Sequence, residues 1–370
     1  MKYLMIIVLF LQILIITGGN YYLSKRFAIF FPIISFKGWS WGFGSATVLL
    51  IFGSVFFGVS SNFFGKIVCI LGAFWVAILL YLLISVALID LVNLFVKISP
   101  VVRGVSALIL TVLVIIYGVI NASIIKVKEI SVPIAGLTKE IKAVHISDIH
   151  LGHFWGKGQL EKIVNKTMEL NPDVIFNTGD MFDSKVHFKE NNDILKPLNK
   201  FTVPHYFVYG NHDRHVGLEE VIERMKNARA IVLRNEISYF RELQIIGLDN
   251  MLKDENEFAM HTNPGAETIK SIMSKLSIEE NQPTIVLQHR PIGFEYMDAK
   301  KVDLFLAGHS HGGQFFPITL IANKVYAYNK GLHKYNDMNI YISQGVGTIF
   351  SPIRVGTDSE ITLIRLVPKV

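Results

Sequence analysis

An α/β fold preceded by helical membrane segments is what this sequence predicts, and three observations carry it. Apolar residues make up 51% of the 370 residues, and the excess is concentrated at the front. From about residue 124, short apolar runs alternate with charged stretches of helical spacing. Most of the buried-looking runs end in a polar cluster, as open α/β sheets do where they bind ligands.

The front holds four apolar segments, roughly residues 4–18, 43–59, 67–89 and 104–123. A bilayer span needs ~20 mostly apolar residues. The last two segments contain no charge over "ILGAFWVAILLYLLISVALI" (70–89) and "GVSALILTVLVIIYGVINAS" (104–123). The first could be a signal peptide, but no A-x-A-like cleavage pattern follows it, which favours a retained helix. Residues 1–123 are therefore read as a membrane domain of about four transmembrane helices, and 124–370 as a second domain. Asp90 ends its span and reads as an interfacial carboxylate. "FFPIISFKGWSW" (30–41) reads as an interfacial aromatic belt.

Residues 1–128 carry nine Lys or Arg and one acid, a charge of +8, whereas residues 129–370 carry −2. The basicity thus belongs to the membrane part. No nucleic-acid partner is expected, since that would need a basic patch on the folded domain. Positive charge concentrates in cytoplasmic loops. Lys25, Arg26, Lys37, Lys97 and Arg103 lie in the first and third connections, against Lys2, Lys66, Lys126 and Lys128 on the other side. This places the C-terminal domain of a multi-pass cell-membrane protein outside the cytoplasm. Cys69 is the one cysteine, so no intrachain disulfide can form.

In the second domain "IIKVKEISVPI" (124–134) opens as a strand. "KAVHIS", "DVIFNTG", "PHYFVYG", "PTIVLQH" and "VDLFLAG" read as buried strands. "GQLEKIVNKTMELN" and "GLEEVIERMKNA" read as amphipathic helices. "ELQIIGLD", "NIYISQG" and "EITLIRLV" read as antiparallel strands.

Five strand ends converge on one chemistry. "HISDIHLG" supplies Asp148 and His150, "FNTGDMFD" supplies Asp180 and Asp183, and "VYGNHD" supplies Asn211, His212 and Asp213. "VLQHRP" supplies His289, and "AGHSHGG" supplies His309 and His311. Carboxylate, imidazole and amide oxygen suit Mn, Fe, Zn or Mg rather than thiolate-bound metals. Seven ligands drawn from these ten groups would exceed the four of one closed zinc site. They suit two divalent ions sharing a carboxylate, an arrangement used in phosphate-ester hydrolysis.

In this order, D-x-H, G-D, G-N-H-D, a lone H and G-H-x-H resemble the calcineurin-like metallophosphoesterase superfamily. "GHSHGGQ", the "RP" after His289 and "SQGVGT" (343–348) resemble its bacterial membrane-anchored or exported branch. The resemblance covers the chain from about residue 140. It implies a four-layer α/β-β/α metallophosphoesterase sandwich, preceded here by a multi-span α-helical membrane region. It also implies one metal on Asp148, His150, Asp180 and His311. The second would sit on Asp180, Asn211, His289 and His309, with Asp180 bridging. His212 would be the catalytic histidine, and Asp183 either its orienting partner or a surface turn residue. Asp213 reads as a helix cap.

His153 and Arg290 are candidates for phosphate contact, with a buried or salt-bridged role as the alternative. His145 reads as a packed strand residue. His187, His205, His215, His261 and His333 carry no motif. The resemblance implies a metal-dependent phosphoesterase acting on a phosphomonoester, phosphodiester or pyrophosphate. Its substrate is an amphiphilic, lipid-linked phosphate met at the membrane lipid, or a soluble nucleotide. The alternative from another class is a non-catalytic metal-binding sensor or scaffold, which would be expected to break at least one ligand position. Oligomeric state is not encoded in any pattern here.

Overall fold

The structure, a computed structural model, describes residues 2–57, 63–183, 193–255 and 267–369. Four helices come first: α1 (Lys2–Phe30), α2 (Phe36–Phe57), α3 (Phe63–Asn93) and α4 (Pro100–Ser123). Pro100 opens α4, where its missing N–H costs nothing and its fixed φ suits a first turn. Among the described residues, α3 and α4 are long and apolar enough to cross a membrane. α1 and α2 each include positions whose side chains lie outside the described residues.

The chain divides into two compact units, residues 1–120 with 350–352 and residues 121–349 with 353–370. Inside the first unit, polar groups join helices where apolar packing alone would not fix register. Asp90 is not a solitary interfacial carboxylate. It accepts from Arg26 Nε at 2.7 Å, Arg103 Nη1 at 3.3 Å and Tyr22 Oη at 2.8 Å, tying α1, α3 and α4 together. Trp75 donates to Thr47, which donates to Asn20, linking α3, α2 and α1. The expected aromatic belt is split. Trp39 packs inward, 5.0 Å from the Phe27 ring and 5.8 Å from Phe43, whereas Trp41 is exposed.

The second unit is built in chain order from β1 (Ile125–Ile134), β2 (Ile141–Ile146), α5 (Lys157–Glu169), β3 (Val174–Asn177) and β4 (His205–Phe207). There follow α6 (Asn211–Asn227), β5 (Ile231–Val232), β6 (Glu236–Phe240), β7 (Leu243–Gly247), α7 (Ile269–Lys275) and β8 (Thr284–Leu287). The unit ends with α8 (Phe294–Asp298), β9 (Leu304–Ala307), α9 (Ile318–Val325), β10 (Gly331–Tyr335), β11 (Met338–Ile342) and β12 (Ser359–Pro368). Two six-stranded sheets result, ordered β1-β12-β2-β3-β4-β5 and β10-β11-β9-β8-β7-β6.

Their apolar residues sort into three cores. Val144, Ile146, Ile163, Val164, Val221 and Met225 fill the space between the first sheet and α5 and α6. Ala143, Val174, Phe176, Ile245, Leu287 and Leu306 lie between the two sheets. Ile246, Val286, Ile272, Met273 and Met297 join the second sheet to α7 and α8. The layers are therefore helix, sheet, sheet, helix. Because both faces of the central strands are covered, they read as continuous apolar runs.

That double burial also hides strand direction. The three runs expected to be antiparallel are mixed. β7 is antiparallel to β6 but parallel to β8, and β11 is antiparallel to β10 but parallel to β9. β12 is antiparallel to β2 and parallel to β1.

Two core histidines set an acid limit on this unit. His145 and His205 are buried, and burial pushes both down to about 3. Neither ring nitrogen of His205 has a hydrogen-bond partner among the described residues, and the ring packs edge-on to Phe201 at 5.1 Å. A folded-state pKa below the unfolded value means that the unfolded chain binds the proton first, so stability falls as pH drops below ~6.5. At pH 5 each such histidine costs ~2 kcal/mol. His205→Leu is expected to flatten the loss of melting temperature between pH 7 and pH 5. An unchanged slope would remove His205 from the account.

Candidate metal centre

The site sits where five parallel strands end. β2, β3 and β4 of the first sheet lead to Asp148, Asp180 and Asn211, while β8 and β9 of the second lead to His289 and His309. The chain turns sharply at these ends. Asp148, His150, Asp180, His309 and His311 all have positive φ, between 50° and 73°. Non-glycine residues adopt that conformation at a cost, and such strain collects at functional sites. Glycine makes the close approaches possible. A Cβ on Gly210 would collide with the Asp180 carboxylate, and one on Gly308 would collide with Asp148 and Ser147.

The donor atoms face one another. His150 Nε2 lies 3.0 Å from His311 Nε2, and Asp148 Oδ1 lies 3.5 Å from His311 Nε2 and 3.9 Å from His150 Nε2. On the other side His289 Nε2 lies 3.1 Å from Asn211 Oδ1, 3.2 Å from His309 Nδ1 and 3.1 Å from Asp180 Oδ2. Asp180 Oδ2 also stands 3.7 Å from His150 Nε2, so one carboxylate oxygen faces both clusters. Ligand atoms within 4.8 Å of one another form the groups Asp148–His150–His311, His150–Asp180–His212 and Asp180–His289–His309.

These groups fit divalent cations. Ligands ~2.1 Å from an ion lie ~3.0 Å apart at right angles and ~3.4 Å apart in a tetrahedron, the range spanned by the closest contacts here. Orienting bonds leave the inward atoms available. His289 Nδ1 is 2.7 Å from the Thr178 carbonyl, which accepts its proton and leaves the Nε2 lone pair facing Asp180. Asp148 accepts the Ser147 hydroxyl and the His309 N–H, and Asp180 Oδ1 accepts the His212 N–H at 2.8 Å.

Electrostatics agree with the geometry. Burial with the charge of His289 pushes His309 down to about 3, and burial with the charge of His150 pushes His311 well below its ordinary value. Both are neutral, as ligands must be. Burial opposes charge on His289, but the charge of Asp180 and its hydrogen bond outweigh it and push the group up to about 9. Burial likewise opposes ionisation of Asp180, yet the charge and hydrogen bond of His289 hold it well below the usual carboxylate range. Carboxylates that hold a proton on His289 are equally suited to hold a cation in its place. Asp148 is raised by burial.

His212 stands beside these groups, its ring 4.8 Å from that of His150. Its Nδ1 is 3.3 Å from Asp183 Oδ1, which is also 3.4 Å from His150 Nδ1. Burial disfavours its proton, but the hydrogen bond to Asp183 and the charges of Asp180 and Asp183 push it up to about 9. Asp213 is buried and accepts the N–H groups of Gly210, Met181 and Phe182, so it caps α6 and pins the turn after β3. His153 is buried in the turn between Gly152 and Trp155, 7% exposed, which lends no support to a phosphate contact. Arg290 sends Nη1 to the Met251 carbonyl at 3.4 Å, and its charge reaches His309. His187 and His261 lie outside the described residues.

One residue without a motif belongs to this assembly. Arg354 is fully buried. Its Nη2 donates to the carbonyls of Gln344, Gly345 and Gly347 at 2.7, 3.0 and 2.7 Å and lies 3.3 Å from His311 Nδ1. The turn it holds wraps Asp148, whose carbonyl accepts Gly347 N–H at 2.8 Å.

Two sheets contributing carboxylate, amide and imidazole donors to one rim define a metal-binding α/β sandwich. Residues 141–313 match the family model of the calcineurin-like phosphoesterases. A Helicobacter pylori protein named "uncharacterized metallophosphoesterase" is 30% identical over 248 residues, 66% of this chain and 64% of that protein. A Danio rerio "transmembrane protein with metallophosphoesterase domain" is 31% identical over 282 residues, covering 71% and 62%. Phosphodiesterase YaeI of Escherichia coli K12 is 29% identical over 241 residues, covering 61% and 82%. Residues 141–313 thus carry a calcineurin-like phosphoesterase domain. The chain spans less than two thirds of the length of the Helicobacter and Danio relatives.

Proposed function

We propose that this chain is a membrane-held, metal-dependent phosphoesterase that hydrolyses a phosphomonoester, phosphodiester or pyrophosphate. The observation that carries it is the pair of donor clusters sharing Asp180 Oδ2. Asp148, His150, Asp180 and His311 would hold one divalent ion, and Asp180, Asn211, His289 and His309 the other. Bound there, Mn, Fe, Zn or Mg would neutralise phosphoryl charge and lower the pKa of an attacking water. His212 would donate its free ring N–H to a phosphoryl or leaving-group oxygen. Asp183 would fix its tautomer through Nδ1 and stabilise the imidazolium.

EDTA is expected to abolish hydrolysis by the purified chain, and Mn to restore it. A screen against lipid phosphates and nucleotides would rank the two substrate classes. Chelator-resistant turnover, with metal removal verified, would sink the metal-dependent reading. Bound metal without turnover on any phosphate ester would assign the scaffold reading instead.

All four helices would span the bilayer, with the second unit outside the cytoplasm. Lys126 and Lys128 lie in β1, so they are part of the folded unit and not of a membrane connection. Discounting them leaves Lys25, Arg26, Lys37, Lys97 and Arg103 against Lys2 and Lys66. A cysteine at Ser277, in a Cys69→Ser background, should react with an impermeant reagent on intact spheroplasts. Labelling only after membrane disruption would reverse the orientation.

A further inference from the structure

The second unit carries an apolar helix exposed beside its metal rim. In α9, Ile318 is 40% exposed, Leu320 54%, Ile321 55% and Val325 68%. Ala322 alone in this helix is buried. More than half of the exposed large apolar side chains described in residues 125–349 fall between Phe316 and Val325. Single exposed apolar residues are ordinary, but a contiguous set marks an interaction surface.

Both ends of α9 lie beside segments that carry the donor histidines. At the first turn Gly313, two residues after His311, lies so close to the backbone of Thr319 that an added Cβ would come within 2.6 Å of its Cα. Just past the last turn, the Tyr326 ring stands edge-on to His309 at 6.0 Å. A molecule lying on α9 would therefore lie close to His309 and His311.

The same helix is tied to the point where the chain enters this unit. Asn121 Nδ2, in the last turn of α4, donates to the carbonyls of Arg354 and Thr357 at 3.1 and 2.8 Å. Ser359 Oγ donates to the Ala122 carbonyl at 2.8 Å. Val355, inside that turn, accepts the Phe316 N–H at 2.9 Å. Only Ile124 separates α4 from β1. Asn121 to Ser123 belong to the second unit and end a helix with the length and composition of a span, and α9 is two hydrogen-bonded steps from them. The exposed Lys324 on α9 suits anionic headgroups.

We propose that α9 is an interfacial helix whose apolar residues Ile318, Leu320, Ile321 and Val325 enter the headgroup–acyl boundary of the bilayer. Amphipathic helices bind membranes in this way, parallel to the surface. An amphiphilic phosphate would then reach the metal rim with its acyl part still in the membrane. This substrate clause rests on the phosphoesterase reading, whereas the bilayer contact does not.

The test uses the full chain reconstituted in vesicles of phosphatidylcholine and phosphatidylglycerol. A polarity-sensitive fluorophore is placed by Leu320→Cys or, as a control, by Ser277→Cys, each in the Cys69→Ser background. Quenching by lipids carrying a shallow nitroxide is expected to be at least several-fold stronger at position 320 than at 277. Equal quenching at the two positions would overturn the proposal. A blue-shifted signal at 320 that grows with protein density but ignores the nitroxide lipid would overturn it too, and assign the face to a second copy of this chain. Neither readout depends on turnover, so a failed phosphoesterase reading leaves this result interpretable. A Leu320→Asp variant should lower turnover of a long-chain lipid phosphate ~10-fold, on the scale of one lost apolar contact with the membrane. Turnover of a short soluble phosphate ester should be unchanged. Equal loss on both would refute the substrate clause.

Discussion

Asp180→Ala is expected to leave the purified chain with less than one bound divalent ion and no measurable phosphate-ester hydrolysis. Asp180 Oδ2 faces His289 at 3.1 Å and His150 at 3.7 Å, so removing it withdraws a negative ligand from both clusters at once. It also removes the charge that stands against the buried His289 and frees the His212 N–H that Oδ1 accepts. The informative contrast is His212→Ala. That histidine is held beside the cluster by Asp183 and its own backbone, and in the proposed mechanism its ring would meet substrate. Turnover should fall ~10²-fold or more, the scale of a lost general acid, while metal content stays at the parent level. Metal analysis beside a turnover assay separates the two variants. Full activity in His212→Ala, or parental metal in Asp180→Ala, would dismantle the assignment of roles.

The second large effect is expected at Arg354. Arg354→Met removes a guanidinium that satisfies three buried carbonyls and the Thr357 hydroxyl, and it supplies no donor in return. Each buried carbonyl left unpaired costs ~1–3 kcal/mol, so the variant should lose ~3 kcal/mol or more. Desolvation already depresses Arg354 to about 10, yet it still carries its charge at neutral pH. Arg354→Lys should recover little, because one ammonium cannot reach Gln344, Gly345, Gly347 and Thr357 together. The turn from Gln344 to Gly347 should loosen around Asp148, and metal affinity should drop with stability. Thermal unfolding of the detergent-solubilised chain and its metal content would both have to match the parent for this account to be wrong.

The residues that the structure gathers at the rim could be picked out from the sequence because each follows an apolar run. The end of β2 leads straight to Asp148, that of β3 to Asp180 and that of β9 to His309. Period and polarity suffice to place such groups at strand ends. Arg354 was not legible, since its partners are main-chain carbonyls, which no side-chain pattern encodes. No acidic residue lies within three positions of it, and His311 is 43 residues away. Strand direction was hidden for a related reason. β7 and β11 are buried along their whole length and β12 along most of it, so no exposed face distinguishes a parallel neighbour from an antiparallel one. The ion-pair cluster on Asp90 was missed because Arg26 and Arg103 are brought to it by helix packing and not by spacing along one helix.

The place of β12 in its sheet carries a consequence for the order of events in synthesis. It lies between β1 and β2, pairing Val127 with Ile361 on one side and Val144 with Leu363 on the other. The two strands that leave the ribosome first therefore have no direct ladder to each other. β1 can join the sheet only when residues some 230 positions later have emerged. Helices α1 to α4 can form one by one as they appear, since their hydrogen bonds are local. The sheet must wait, and its closure is slow because the contacts that seal it span nearly the whole unit. During that interval β1 is an unpaired strand that follows α4 after a single residue, Ile124. Its loose alternation and its Lys126, Lys128 and Glu129 keep that waiting edge charged, which is how natural sheets discourage pairing with the wrong chain.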